Sequence, residues 1–134
     1  MPRYLLVDDS PTIRLTLAAA IKQAGRGTVQ IDEAADAKAA VAKFKENRPD
    51  AVFLDMVLEG TTGEDGLKIM DQLLALNPET RIILVTGLPA NDASVVKGIR
   101  QGAFAYLQKP ARTDAVRKIL NEMEIASGRF GRIR

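Results

Sequence analysis

The chain alternates short apolar runs with helical patterns, and each central run stops abruptly at a polar residue. Tyr4-Leu5-Leu6-Val7 ends at Asp8-Asp9, and Ala51-Val52-Phe53-Leu54 ends at Asp55. Ile82-Ile83-Leu84-Val85 ends at Thr86, and Phe104-Ala105-Tyr106-Leu107-Gln108 ends at Lys109-Pro110. Runs of four or five apolar residues without alternation are the pattern of strands covered on both faces. Interleaved with helices, they predict βαβ units and a parallel sheet. In such a sheet the strand ends lie side by side, so the polar residues gather at one edge, where open α/β sheets place their ligands.

The helices between them are punctuated clearly. Ser10-Pro11 is an N-cap followed by Pro at the first helical position, and the helix presents Ile13, Leu17, Ala20, Ile21 and Ala24 before stopping at Gly25. A second strand is expected at about residues 28–33. A second helix starts near Asp36, buries Ala40, Val41 and Phe44, and ends before Pro49. The polar stretch from Glu59 to Glu64 reads as a loop, and a third helix runs from about Gly66 to Leu76, stopped by Asn77-Pro78. Asn91 and Asp92 open a fourth helix that ends at Gly102. Thr113 opens a fifth with Val116, Ile119, Leu120 and Met123 inward, closed by Ser127-Gly128. The expectation is one α/β domain of five strands and five helices over residues 1–127. Residues 128–134 are a basic tail or the start of a linker.

Composition narrows the chemistry. With 134 residues, 46% of them hydrophobic, the chain suffices for one sizeable core. It has no Cys and no His, which removes disulfides, thiol chemistry, His acid–base catalysis and the usual zinc sites. Its longest apolar runs are strand-sized, so no membrane span is expected. The first residues lack the apolar region of a signal peptide, and a cytoplasmic protein is the default. The formal +2 includes +3 from Arg129, Arg132 and Arg134, which leaves the rest of the chain at −1. No domain-wide basic field invites nucleic acid, and the few aromatics make no base-stacking platform.

At the predicted edge three carboxylates (Asp8, Asp9, Asp55), the Thr86 hydroxyl and the Lys109 ammonium converge. Crowded carboxylates repel unless a cation joins them, and a hard divalent ion with oxygen ligands suits the set. Taken singly, each mark has a plain structural explanation: Asp-Asp and Lys-Pro as turns, Thr86 as a loop cap, Tyr106 as a core aromatic with a wet hydroxyl. Together Val7-Asp8-Asp9-Ser10, Phe53-Leu54-Asp55-Met56, Val85-Thr86-Gly87 and Tyr106-Leu107-Gln108-Lys109-Pro110 resemble, in order and context, the receiver domains of bacterial two-component response regulators. The similarity spans roughly Arg3 to Ala126.

The resemblance implies a flavodoxin-like, doubly wound fold with strand order 2-1-3-4-5, which sets the Asp9 and Asp55 strands about 4.8 Å apart. It implies that Asp55 accepts a phosphoryl group from a sensor histidine kinase or a histidine phosphotransfer protein. Mg²⁺ would be held by Asp9, Asp55 and the Val57 carbonyl, with Asp8 acting through water. Lys109 and Thr86 would contact phosphoryl oxygens, Gly87 would leave room for the group, and Lys109-Pro110 would be cis. Thr86 and Tyr106 would form the switch, with output, a partner or a phosphorylation-dependent dimer on the fourth helix, fifth strand and fifth helix. Gly98 would let the fourth helix shift easily, or would simply permit close packing. The apolar pair Val57 and Leu88 would shield the phosphoryl group and slow its hydrolysis, and no enzymatic turnover beyond this self-phosphorylation and slow decay is implied.

The chain departs from the family pattern in two places. Glu59 stands where a Pro is usual, and the loop to Asp65-Gly66 is about three residues longer. A flavodoxin-type cofactor binder would want free N–H groups after the first strand, where Asp8-Asp9 instead repel an anion. A dehalogenase-like hydrolase would want a second carboxylate two residues after Asp55, where Val57 stands. A pseudo-receiver, acting only as an interaction module, usually lacks an acidic residue or the Lys, and here all are present.

Overall fold

The four apolar runs and a fifth, more polar strand form a single all-parallel sheet in the order β2-β1-β3-β4-β5. The computed structural model describes residues 1–25, 27–58 and 60–126. The strands are β1 (Arg3–Val7), β2 (Gln30–Ala34), β3 (Ala51–Asp55), β4 (Arg81–Thr86) and β5 (Ala105–Gln108). Between and after them come α1 (Pro11–Ala24), α2 (Ala37–Asn47), α3 (Gly63–Leu76), α4 (Ala93–Gln101) and α5 (Thr113–Ala126).

Side-chain alternation along each strand builds two cores, one on each sheet face. Leu5, Val7, Val52, Leu54, Ile82 and Leu84 pack with Phe44 of α2, Leu67, Met70 and Leu73 of α3 and Val95 of α4. Leu6, Phe53, Ile83, Val85 and Leu107 pack with Leu17 and Ile21 of α1 and with Val116, Ile119 and Leu120 of α5. Helices therefore cover both faces, as the uninterrupted apolar runs require. All five residues of β3 are buried at the centre.

Most helix starts fall where the sequence places them. Ser10 Oγ accepts from Ile13 N at 3.2 Å, Asp36 Oδ1 from Ala39 N at 2.8 Å, and Asp92 Oδ1 from Ser94 N at 2.9 Å. Two boundaries differ. β2 starts at Gln30 and not near residue 28, because its partner β1 begins at Arg3, which pairs with Gln30. α3 begins at Gly63, three residues before the expected start. There the Asp65 carboxylate reaches back to accept from Thr62 N at 2.9 Å and from Thr62 Oγ1 at 3.2 Å, closing the first turn. Thr61 N and Oγ1 both donate to the Leu58 carbonyl, folding what remains of the polar loop. Glu59 and the expected boundary and cap after residue 126 lie outside the described residues. Among the described residues no helix is long and apolar enough to cross a membrane.

Candidate functional site

β1 and β3 are neighbours, with Val7 opposite Leu54, so the residues ending them are brought together. Asp8, Asp9 and Asp55 each offer a carboxylate oxygen, and these atoms lie within 4.8 Å of one another. Asp8 and Asp55 are 3% and 4% exposed, while Asp9 is only partly covered. Local hydrogen bonds aim the two buried groups. Asp8 Oδ1 accepts from Ser10 N at 2.9 Å, and Asp55 Oδ1 accepts from Val57 N at 3.1 Å. Both are the two-residue turns that aspartate forms with its own backbone. They explain why Asp, and not the longer Glu, ends these strands.

Lys109 enters from the end of β5. Its N–H donates to the Thr86 carbonyl at 2.8 Å, the Lys109–Pro110 peptide is cis, and its Nζ lies 2.8 Å from Asp8 Oδ2 and 3.2 Å from Asp55 Oδ2. Burial pushes the Asp55 carboxyl above the usual carboxylate range. The Val57 N–H and the Lys109 charge pull it back only in part, and the Asp8 charge adds to the rise. For Lys109, burial pulls downward, but the hydrogen bond to Asp8 and the two carboxylate charges prevail and hold it above its ordinary value. Lys109 is therefore an ammonium. Three carboxylates with one ammonium leave the cluster at −2 when all are ionised. An all-oxygen donor set of that charge fits a hard divalent cation.

Thr86 ends β4, the strand beside β3, and is buried. Its Oγ1 accepts from Leu88 N at 3.2 Å, while the Tyr106 hydroxyl donates to the Leu88 carbonyl. Thr86 and Tyr106 thus grip the same residue from its two backbone sides. Burial raises the phenol of Tyr106, which keeps the hydroxyl a donor. The ring is already partly buried and packs with Leu88 against the core. A side chain at Gly87 would meet nothing within 4 Å, so space is open there. Of the apolar pair, Leu88 is partly covered and Val57 is 40% exposed.

Gly66 and Arg14 contribute in ways the sequence did not reveal, and Gly98 fits the close-packing reading of its position. A Cβ on Gly66 would come 2.2 Å from the Met56 carbonyl oxygen, so α3 presses on the backbone between Asp55 and Val57. A Cβ on Gly98 would come 2.5 Å from Leu84 Cδ1 and 3.0 Å from Leu67 Cδ2, so this glycine serves close packing of α4 on the sheet. Arg14 donates to the Asp8 carbonyl. The available signal was a glycine at the expected start of α3 and another inside α4, and a charge beside the inward positions Ile13 and Leu17.

A family model described as the response regulator receiver domain matches residues 4–121. The chain is 31% identical over 121 residues to the chemotaxis protein CheY of Thermotoga maritima, covering 90% of this chain and 96% of that protein. It is 32% identical over 110 residues to the nitrogen assimilation regulatory protein NtrX of Azorhizobium caulinodans, covering 82% of this chain but 23% of that longer protein. In fold it is similar to a crystal structure of a CheY-like receiver domain protein from Methanospirillum hungatei, with a TM-score of 0.80 at 24% identity over 96% of this chain and 98% of that one. With the family model spanning nearly all of the sheet and helices, the chain belongs to the response regulator receiver domain family.

Proposed function

We propose that residues 1–127 act as a phosphorylation-activated switch in two-component signalling, with Asp55 as the acceptor. The observation that carries this reading is the meeting of Asp8, Asp9 and Asp55 with Lys109 at the end of the central strands. A carboxylate oxygen of Asp55 attacks the phosphorus of a phosphohistidine on a sensor kinase or phosphotransfer protein. The O–P bond forms, the P–N bond breaks, and the departing imidazole takes a proton from water. The product is an acyl phosphate on Asp55.

Each neighbour has a task in that transfer. Asp9, Asp55 and the Val57 carbonyl would hold Mg²⁺, with Asp8 acting through water. When bound, Mg²⁺ supplies positive charge against the phosphoryl oxygens. Lys109 moves its contact from the Asp55 carboxylate to a phosphoryl oxygen, as a point charge on a flexible stem can. Thr86 turns its hydroxyl to another oxygen and gives up its bond to Leu88 N. Because Tyr106 holds Leu88 from the other side, that exchange reaches the face formed by α4, β5 and α5, where an output partner or second copy docks. This reading needs no turnover of a separate substrate, and it fits a cytoplasmic protein.

Incubation with acetyl phosphate and Mg²⁺, followed by intact mass, tests the reading. One added phosphoryl group is expected, absent when Mg²⁺ is chelated. No addition under any condition would favour a pseudo-receiver that acts through its surface alone.

A further inference from the structure

Arg14 lies in the first turn of α1, where its backbone N–H donates to the Ser10 carbonyl at 3.1 Å. Its guanidinium does not point to solvent. Nε donates to Glu33 Oε1 on β2 at 2.7 Å, and Nη1 donates to the Asp8 carbonyl. The Arg14 side chain is 16% exposed against 51% for Glu33. A charged group so well covered, and spent on a backbone carbonyl, calls for an explanation beyond a surface ion pair.

Asp8 is held at every polar atom. Its N–H donates to the Ala34 carbonyl at 3.1 Å, Oδ1 accepts from Ser10 N, and Oδ2 pairs with Lys109. Its carbonyl is the remaining handle, and Arg14 takes it. That carbonyl shares a rigid plane with the Asp9 N–H. Fixing it fixes ψ of Asp8 and so places the Cα from which the Asp9 side chain leaves the backbone. Among the described residues the Asp9 carboxylate accepts no hydrogen bond, so its aim comes from the backbone.

We propose that Arg14, anchored by Glu33, is a positioning residue for the metal site, aiming the Asp9 carboxylate through the Asp8 carbonyl. The assignment rests on the functional reading above. Arginine suits the task because its planar fork serves a carbonyl and a carboxylate at a fixed angle, which an ammonium does not. The proposal also predicts a sign opposite to simple electrostatics. Removing a positive charge beside a cation site favours cation binding by Coulomb's law; removing a support that orients a ligand weakens it.

Calorimetric Mg²⁺ titration of the full chain tests this in wild type, Arg14→Met, Arg14→Lys and Glu33→Gln. Arg14→Met is expected to bind Mg²⁺ about tenfold more weakly, and Arg14→Lys about as weakly. The Asp9 amide resonance should shift in both metal-free variants. Glu33→Gln, which loosens only the anchor, should lose less in the same direction, and it carries the test if the Arg14 variants do not fold. A merely structural role would lower the melting temperature and leave the Mg²⁺ dissociation constant in place. Unchanged or tighter binding in folded Arg14→Met would overturn the assignment, as would wild-type binding in Arg14→Lys or in Glu33→Gln. A wild type that binds no Mg²⁺ would overturn the functional reading and this assignment with it.

Discussion

The Lys109 ammonium stands 3.2 Å from Asp55 Oδ2, so the proposed acceptor is already paired with a cation before any metal or phosphoryl group arrives. The same ammonium is shared with Asp8 at 2.8 Å. One charge is thus divided between two buried carboxylates, and burial outweighs it at Asp55. The metal-free site is therefore under electrostatic tension.

That tension has a measurable pH dependence. Because the folded state raises the Asp55 carboxyl, its contribution to stability is fully present below the unfolded value and is lost as pH rises through the folded value. Metal-free Asp55→Asn escapes the loss. It should melt with the wild type in acid and above it at neutral pH. Melting curves across pH in chelator check this. Added Mg²⁺ should raise the wild type more than the variant.

Gly66 offers a steric test. A Cβ there would be 2.2 Å from the Met56 carbonyl oxygen, a backbone atom that cannot swing aside. Gly66→Ala should destabilise the fold by about 1–3 kcal/mol, the usual cost of overpacking, despite the better helix propensity of Ala. It should also displace the turn from Asp55 to Val57 and slow self-phosphorylation. Denaturant unfolding and acetyl phosphate kinetics measure the two effects separately.

Decay of the phosphorylated state tests the two apolar neighbours. Hydrolysis of an acyl phosphate needs a water placed in line behind phosphorus, which a polar side chain can orient. Val57 and Leu88 cannot do so. Phospho-Asp55 should therefore last longer in wild type than in the double variant Val57→Asn/Leu88→Glu, by about tenfold or more. Equal decay would remove the shielding explanation, and the 40% exposure of Val57 makes it the weaker half of the pair.

The central strands and their polar ends were legible because β1, β3 and β4 are apolar on both faces, a pattern with few alternatives. β2 was harder. Its sequence Gln-Ile-Asp-Glu-Ala is that of an edge strand, and its start is set by pairing with Arg3. The early start of α3 hid because the carboxylate completing the box on its N-cap Thr62 is Asp65, where Glu or Gln is the usual signal. Gly98 reads along the sequence either as a point of easy movement or as a close contact, and the space it leaves is filled by Leu84 and Leu67. Arg14 falls outside the inward set Ile13, Leu17, Ala20, Ile21 and Ala24, and its anchor Glu33 comes from β2, distant in sequence. The meeting of Asp8, Asp9 and Asp55 followed from the strand order that the resemblance implied, whereas Lys109 reaches them from β5, two strands from β3, by the length of its side chain. What supports those groups depends on contacts distant in sequence.

The most direct test of the account is to locate the phosphoryl group chemically. Borohydride reduces an aspartyl phosphate to homoserine and so marks the residue that carried it. After reaction with acetyl phosphate and Mg²⁺, peptide mass spectrometry should find homoserine at residue 55, and none in Asp55→Asn. A mark at Asp8 or Asp9, or no mark at any aspartate, would contradict the assignment of Asp55 as the acceptor.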